Sequence, residues 1–150
     1  MTESASEAAA PGTRAPEACD LLIEARYVVP VEPHGIVLEH HAVVVRDGAI
    51  LALLPIEEAR RLFAATETVS RPEGVLIPGL INAHCHNPMT LMRGLADDLP
   101  LMRWLEDHIW PAESRVLGPE FVRDGIELAV AEMLRGGTTC CNENYFFPDV

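Results

Sequence analysis

The segment LIPGLINAHCHNPMTLM, Leu76 to Met92, decides how the rest of this sequence is read. An apolar run turns through Pro78-Gly79, continues as Leu80-Ile81-Asn82-Ala83, and delivers His84 and His86 two residues apart. Residues i and i+2 of a β-strand point to the same face, so the spacing predicts two convergent imidazoles with Cys85 facing the other way. Two imidazoles on one face are half of a metal site, and imidazole suits zinc, iron or nickel. Paired histidines on exposed strands are also common and idle. Position favours the metal, because a nearly all-apolar strand reads as a buried parallel strand, and unpartnered histidines at its end would be costly. On residues alone the two readings stand level.

Downstream, Leu101, Trp104, Leu105, His108 and Ile109 fall at i, i+3, i+4, i+7 and i+8, which predicts an amphipathic helix over Pro100 to Ile109 that Pro111 stops. Gly118-Pro119-Glu120 opens a second helix with a stripe of Val122, Ile126, Ala129, Val130 and Met133. Gly136-Gly137 ends it, and Thr138 to Asn142 reads as a strand. Strand, helices and strand make a βαβ crossover, which requires a parallel sheet.

The run PGLINAHCHNPMTLMRGLADDLPLMRWL, the IWPAE stretch at Ile109 to Glu113 and EMLRGGTTCCNENYFFPD at Glu132 to Asp149 resemble, in order and interval, the amidohydrolase superfamily. Within it they are most similar to the branch that deaminates methylthioadenosine and S-adenosylhomocysteine, which is itself similar to the triazine chlorohydrolases. The resemblance implies an α/β fold: the start of a metal-dependent (β/α)8 barrel, preceded by part of a small β-sandwich and incomplete in this chain. Function in such barrels gathers at the carboxyl ends of the strands. His84, His86 and the Asn142 to Tyr145 segment fall there.

What the resemblance implies residue by residue is specific. His84 and His86 are metal ligands for one divalent ion, Zn2+, with Fe2+ or Mn2+ as alternatives. Glu113 accepts hydrogen bonds from the substrate's ribose diol. Trp104 belongs to the apolar wall around the substrate. The reaction implied is hydrolytic deamination of an adenine ring, in which the cation makes hydroxide available near neutral pH. The remaining ligands and the general acid–base are expected beyond residue 150. On residues alone, Glu113 reads as an exposed carboxylate beyond a helix end, free or paired with Arg115; Trp104, Met89, Met92 and Leu95 offer an apolar wall for a thioether or a purine, with plain core the preferred reading for all of them but Trp104. Arg93 is expected to pair with Asp97 or Asp98, His108 to be a core histidine, and His34, His40 and His41 to lie on the surface. Cys85 stands where the family often has Thr, and Asn144 where an apolar residue is commoner.

Upstream, Leu21 to Ile23, Tyr27 to Val29, Val37-Leu38, Ala42 to Val45 and Ile50 to Leu54 are strand-like. Pro33 to Gly35 and Asp47-Gly48 read as turns, and Asp-Gly between two such runs is a strong hairpin signal. The expectation is a small antiparallel β-unit, with a short helix at Ile56 to Ala65 burying Leu62 and Phe63. Residues 1–17 are poor in large apolar side chains and read as a disordered tail. The expected domains are therefore 1–17, a sandwich part over 18–75, and barrel units over 76–150.

The 150 residues carry 23 acidic and 11 basic side chains for a net charge of −12, with no lysine. An acidic chain without a basic stripe argues against nucleic acid and anionic membranes as partners; the partner that the resemblance implies is a small-molecule nucleoside thioether. There is no apolar run of membrane-spanning length and no basic start followed by an apolar segment, so a cytoplasmic location is expected. Four scattered or adjacent cysteines read as free thiols. A (β/α)8 barrel needs roughly 250 residues, which makes a fragment or truncated frame the expectation. Hydrolysis of a triazine or cyclic amide, or a non-catalytic truncated chain, are the alternatives.

Overall fold

β-Branched and small side chains at alternate positions pair into a four-stranded sheet in the first half of the chain. The computed structural model describes residues 15–149. The expected tail over 1–17 thus lies outside the described residues up to position 14, and Glu17 opens the first strand. The chain divides after Pro78 into two units.

In the first unit, β1 (Glu17–Val28), β2 (Leu38–Arg46), β3 (Ala49–Pro55) and β4 (Phe63–Leu76) form one sheet in the order β3-β2-β1-β4. The β2–β3 hairpin turns on Asp47 and Gly48 at φ 51° and 73°. Two consecutive positive φ angles characterise the turn whose twist matches paired strands, as Asp-Gly predicts. The sheet is not purely antiparallel as expected. β1 pairs with β4 in parallel, Leu22 opposite Thr68 and Ile23 opposite Val69.

The helix α1 (Ile56–Leu62) ends three residues early for the same reason. Phe63, Ala64 and Ala65 pair with Glu17, Ala18 and Cys19, and the ladder outweighs local helix propensity. Leu62 is 37% exposed, and Phe63 reaches the core from the strand instead. Buried Cys19, Leu22, Ala42, Val44 and Ala59 make that core beneath α1. Beside it, Glu24 is buried and clasped by Arg60, Nε to Oε1 at 2.7 Å and Nη2 to Oε2 at 2.9 Å. A buried carboxylate is tolerable only when paired in this way. Arg60 holds the Glu24 carboxyl below its ordinary range, outweighing the opposite push from burial.

In the second unit, β5 (Leu80–Cys85) and β6 (Thr138–Glu143) lie in parallel, Leu80 opposite Thr138 and Cys85 opposite Glu143. Between them run a 3₁₀ turn over Asn87–Met92, then α2 (Leu101–Trp104), a π-helical turn over Leu105–Ile109, α3 (Trp110–Val116) and α4 (Pro119–Arg135). The parallel pair with intervening helices is the expected crossover. Pro111, however, does not stop the helix at Ile109. Proline has no N–H and crowds the carbonyl four residues back. The turn before it widens, so that Trp110 N–H donates to Leu105 O five residues earlier, and the helical path continues to Val116.

α4 buries Val122, Gly125 and Ala129, while Val130 of the expected stripe is 38% exposed. Gly125 sits against the 3₁₀ turn: a Cβ there would lie 2.6 Å from both Cα and O of Pro88. Arg93 forms a two-pronged pair with Glu132 of α4, at 3.0 and 2.6 Å, rather than with Asp97 or Asp98. The close approach that Gly125 permits brings the two side chains face to face. Leu80 and Ile81 are 50% and 73% exposed, in contrast to the buried strand expected, because among the described residues β5 has β6 as its one strand neighbour. Among the described residues no helix is long and apolar enough to cross a membrane.

Candidate metal and substrate site

His84 is the penultimate residue of β5 and His86 follows its end, so the strand's period of two sets their rings side by side. The ring centroids are 4.9 Å apart and nearly perpendicular, and both imidazoles are exposed. His86 Nδ1 lies 2.5 Å from the carbonyl oxygen of Asn144. A carbonyl only accepts, so Nδ1 carries a proton in this contact and Nε2 is the ring nitrogen left for another partner. Metal-ligating histidines are commonly oriented by a partner of this kind. Cys85 points away as the alternation requires, its Sγ donating to Asn142 O at 3.3 Å. Burial, then the neighbouring Glu143 and Cys141, push its thiol up to about 11.

A cavity of about 630 Å³ opens beside His86, lined by His86, Met89, Trp104, Glu113, Asn144 and Tyr145 among others; His84 is not on its wall. Its size is ordinary for a small-molecule site. Trp104 is half-buried, its ring turned to the cavity while Nε1 donates to Leu95 O at 3.1 Å. Met92 and Leu95 are not on the wall; Leu101, Leu105, Ile109, Trp110 and Phe146 are. Glu113 lies within α3, one turn past Trp110, rather than beyond a helix end. It is half-buried, and its partner is not Arg115 but Tyr145, whose hydroxyl donates to its Oε1. Burial and that carboxylate both raise the Tyr145 phenol above its ordinary value, so it remains a proton donor.

A family model for the amidohydrolases matches residues 75–149, half of the 150-residue chain. The chain belongs to the amidohydrolase family. It is similar to the 5-methylthioadenosine/S-adenosylhomocysteine deaminase of Saccharophagus degradans, at 51% identity over 87% of this chain and 29% of the relative. The protein of the same name from Lawsonia intracellularis is 47% identical over 88% of this chain and 30% of its own length. Among solved structures, an adenosine deaminase of Xanthomonas campestris with bound zinc is 69% identical, with a TM-score of 0.86 over 89% of this chain and 30% of that one. An atrazine chlorohydrolase of Arthrobacter aurescens TC1 has a TM-score of 0.68 at 23% identity, over 85% and 29% of the two chains, which is a likeness of fold. The chain thus spans about 30% of the length of the relatives it matches.

In this amidohydrolase chain the residues around the histidines are tied down by a carboxylate that sequence reading did not single out. Glu143, at the end of β6, accepts from the Asn87 N–H through Oε2 at 2.9 Å and from the Asn144 N–H through Oε1 at 3.0 Å. Asn144 N–H also lies 3.0 Å from Cys85 O. The two loops that flank His86 are therefore clasped to each other. Gly125 sets the depth of the same clasp from the helix side. The Asn142 to Tyr145 segment lies at the carboxyl end of β6, as its place after the strand-like run implies, but its individual partners were not legible, because they belong to other elements. For a metal the donor set fits in kind, two imidazoles on one face with one of them oriented. Among the described residues no group of three or more His, Cys, Asp or Glu converges.

Proposed function

We propose that this chain carries the two histidine ligands and the nucleoside-binding wall of a zinc-dependent (β/α)8-barrel deaminase. The substrate class is an adenosine thioether, 5′-methylthioadenosine or S-adenosylhomocysteine. The observation that supports the reading is that His86 and Glu113 line one cavity, so a single ligand there would meet both an imidazole and a carboxylate. The names of the relatives, at 51% and 47% identity, support the same substrate class.

His84 and His86 would hold the ion, which when bound supplies Lewis acidity and a lowered pKa for water. The protein's own part is positional. His86 is kept in the tautomer that frees Nε2, by the Asn144 carbonyl. Glu113 keeps Oε2 for hydroxyl donors, since Tyr145 occupies Oε1. A carboxylate receives two hydroxyls readily, which suits vicinal ribose oxygens. A triazine ring offers no such pair, so Glu113 speaks for the nucleoside. Trp104, Met89 and Phe146 provide an apolar, aromatic surface for the base and thioether. A small-molecule substrate and a cytoplasmic setting complete the proposal.

The test is a composite chain in which this sequence replaces the matching segment of the Xanthomonas campestris enzyme. Supplied with zinc, it should release ammonia from 5′-methylthioadenosine. A composite that folds, retains zinc and leaves both 5′-methylthioadenosine and S-adenosylhomocysteine unchanged contradicts the assignment.

A further inference from the structure

We infer that Tyr145 is a positioning residue that fixes the Glu113 carboxylate for a ligand diol, and so sets how strongly this site prefers a ribose over its deoxygenated analogue. The inference rests on the reading of Glu113 given above. Its basis is a contact between elements far apart in sequence. Tyr145 follows β6, Glu113 belongs to α3, and the phenol of the first donates to Oε1 of the second. A glutamate on a helix has freely rotating side-chain bonds, and a free carboxylate samples many orientations. Ordering it only when a ligand arrives weakens binding, whereas a carboxylate already ordered does not incur that loss.

The hydroxyl is itself held. The Tyr145 ring has two aromatic neighbours, His86 at 6.0 Å and Phe146 at 5.1 Å, centroid to centroid. Both flank the same cavity, so these ring contacts favour the orientation in which the phenol reaches Glu113. Because the Asn144 carbonyl that orients His86 immediately precedes Tyr145, one short segment addresses both ends of the cavity. Among the described residues Glu113 Oε2 accepts nothing, which leaves it and the second lone pair of Oε1 for two hydroxyls. Phenylalanine at 145 would keep the ring packing and remove only the donor.

The experiment uses the composite chain and its Y145F, E113Q and Y145F/E113Q variants, with adenosine and 2′,3′-dideoxyadenosine as substrates. Zinc content and melting temperature are recorded for each. Y145F should raise KM for adenosine about tenfold more than KM for 2′,3′-dideoxyadenosine, with the loss in KM rather than kcat. The double variant should discriminate no worse than E113Q alone, because Tyr145 acts through Glu113. Equal losses on both substrates, or fully additive losses in the double variant, overturn the role of Tyr145 and leave that of Glu113 intact. If E113Q itself fails to separate the two substrates, the diol reading of Glu113 falls and this inference with it.

Discussion

At the scale of single residues, the site depends on which atom of each side chain is already engaged. The His86 Nδ1 proton is given to Asn144 O, and Glu113 Oε1 receives the Tyr145 hydroxyl, so the unused atoms, Nε2 and Oε2, are defined by subtraction. Replacing Glu113 by Gln turns one carboxylate oxygen into a donor that cannot receive a hydroxyl. In the composite chain the loss should be about 1–3 kcal/mol for 5′-methylthioadenosine, the scale of an unpaired buried polar partner. The free base, which lacks the diol, should lose far less, and steady-state KM values for the two report it. Equal losses would make Glu113 a structural residue. The histidine pair was legible because strand alternation is fixed by backbone geometry alone. Tyr145 and Glu143 were not, since a hydroxyl donor and a carboxylate acquire a role only through partners that the fold supplies.

At the scale of elements, two contacts decide geometry. Gly125 lets α4 press on Pro88, one position beyond Asn87, whose N–H is held by Glu143. Alanine there would gain roughly 0.5–1 kcal/mol in helix propensity. It would lose roughly 1–3 kcal/mol to overpacking, because the obstructing atoms are backbone and cannot rotate aside. The net effect expected is a lower melting temperature for G125A in the composite chain, together with weaker zinc retention. A more stable variant would show that the turn yields freely.

In the first unit, the Glu24–Arg60 clasp ties β1 to α1. Because Arg60 lowers the folded-state pKa of Glu24, the clasp stabilises the fold above the ordinary value near 4.5, and that contribution is lost as pH falls through the lowered value. Thermal melts of the composite chain and its E24Q variant should therefore differ most at neutral pH, by roughly 1–3 kcal/mol, and converge in acid. A difference that grows toward low pH would reverse the sign of the account. The hairpin at Asp47-Gly48 and the parallel pair around the helices were readable from turn chemistry and period. β4 was not, because its Thr, Glu and Ser residues carry little apolar alternation and it owes its strand to the ladder with β1. Nor was the passage through Pro111, which depends on a π-helical turn that no local signal marks.

At the scale of the whole molecule, a net charge of −12 favours solubility while the second unit exposes apolar surface. Ile81 is 73% exposed, Leu134 66% and Phe146 56%. Among the described residues the two-stranded parallel sheet also leaves edge groups without strand partners. The 150-residue chain by itself should therefore self-associate at micromolar concentration, as read by light scattering, and should release no ammonia from 5′-methylthioadenosine with added zinc. A monomer that melts cooperatively and turns over substrate would show that two histidines suffice, against the three or more protein ligands usual for zinc.

The central claim is that His84 and His86 jointly hold a divalent ion at the end of β5, and metal content measures it most directly. Zinc per chain, determined by mass spectrometry after exhaustive dialysis, should be about one in the composite chain and fall close to none in its H84A/H86A variant, at unchanged secondary structure. Full zinc occupancy in the folded double variant would contradict the account.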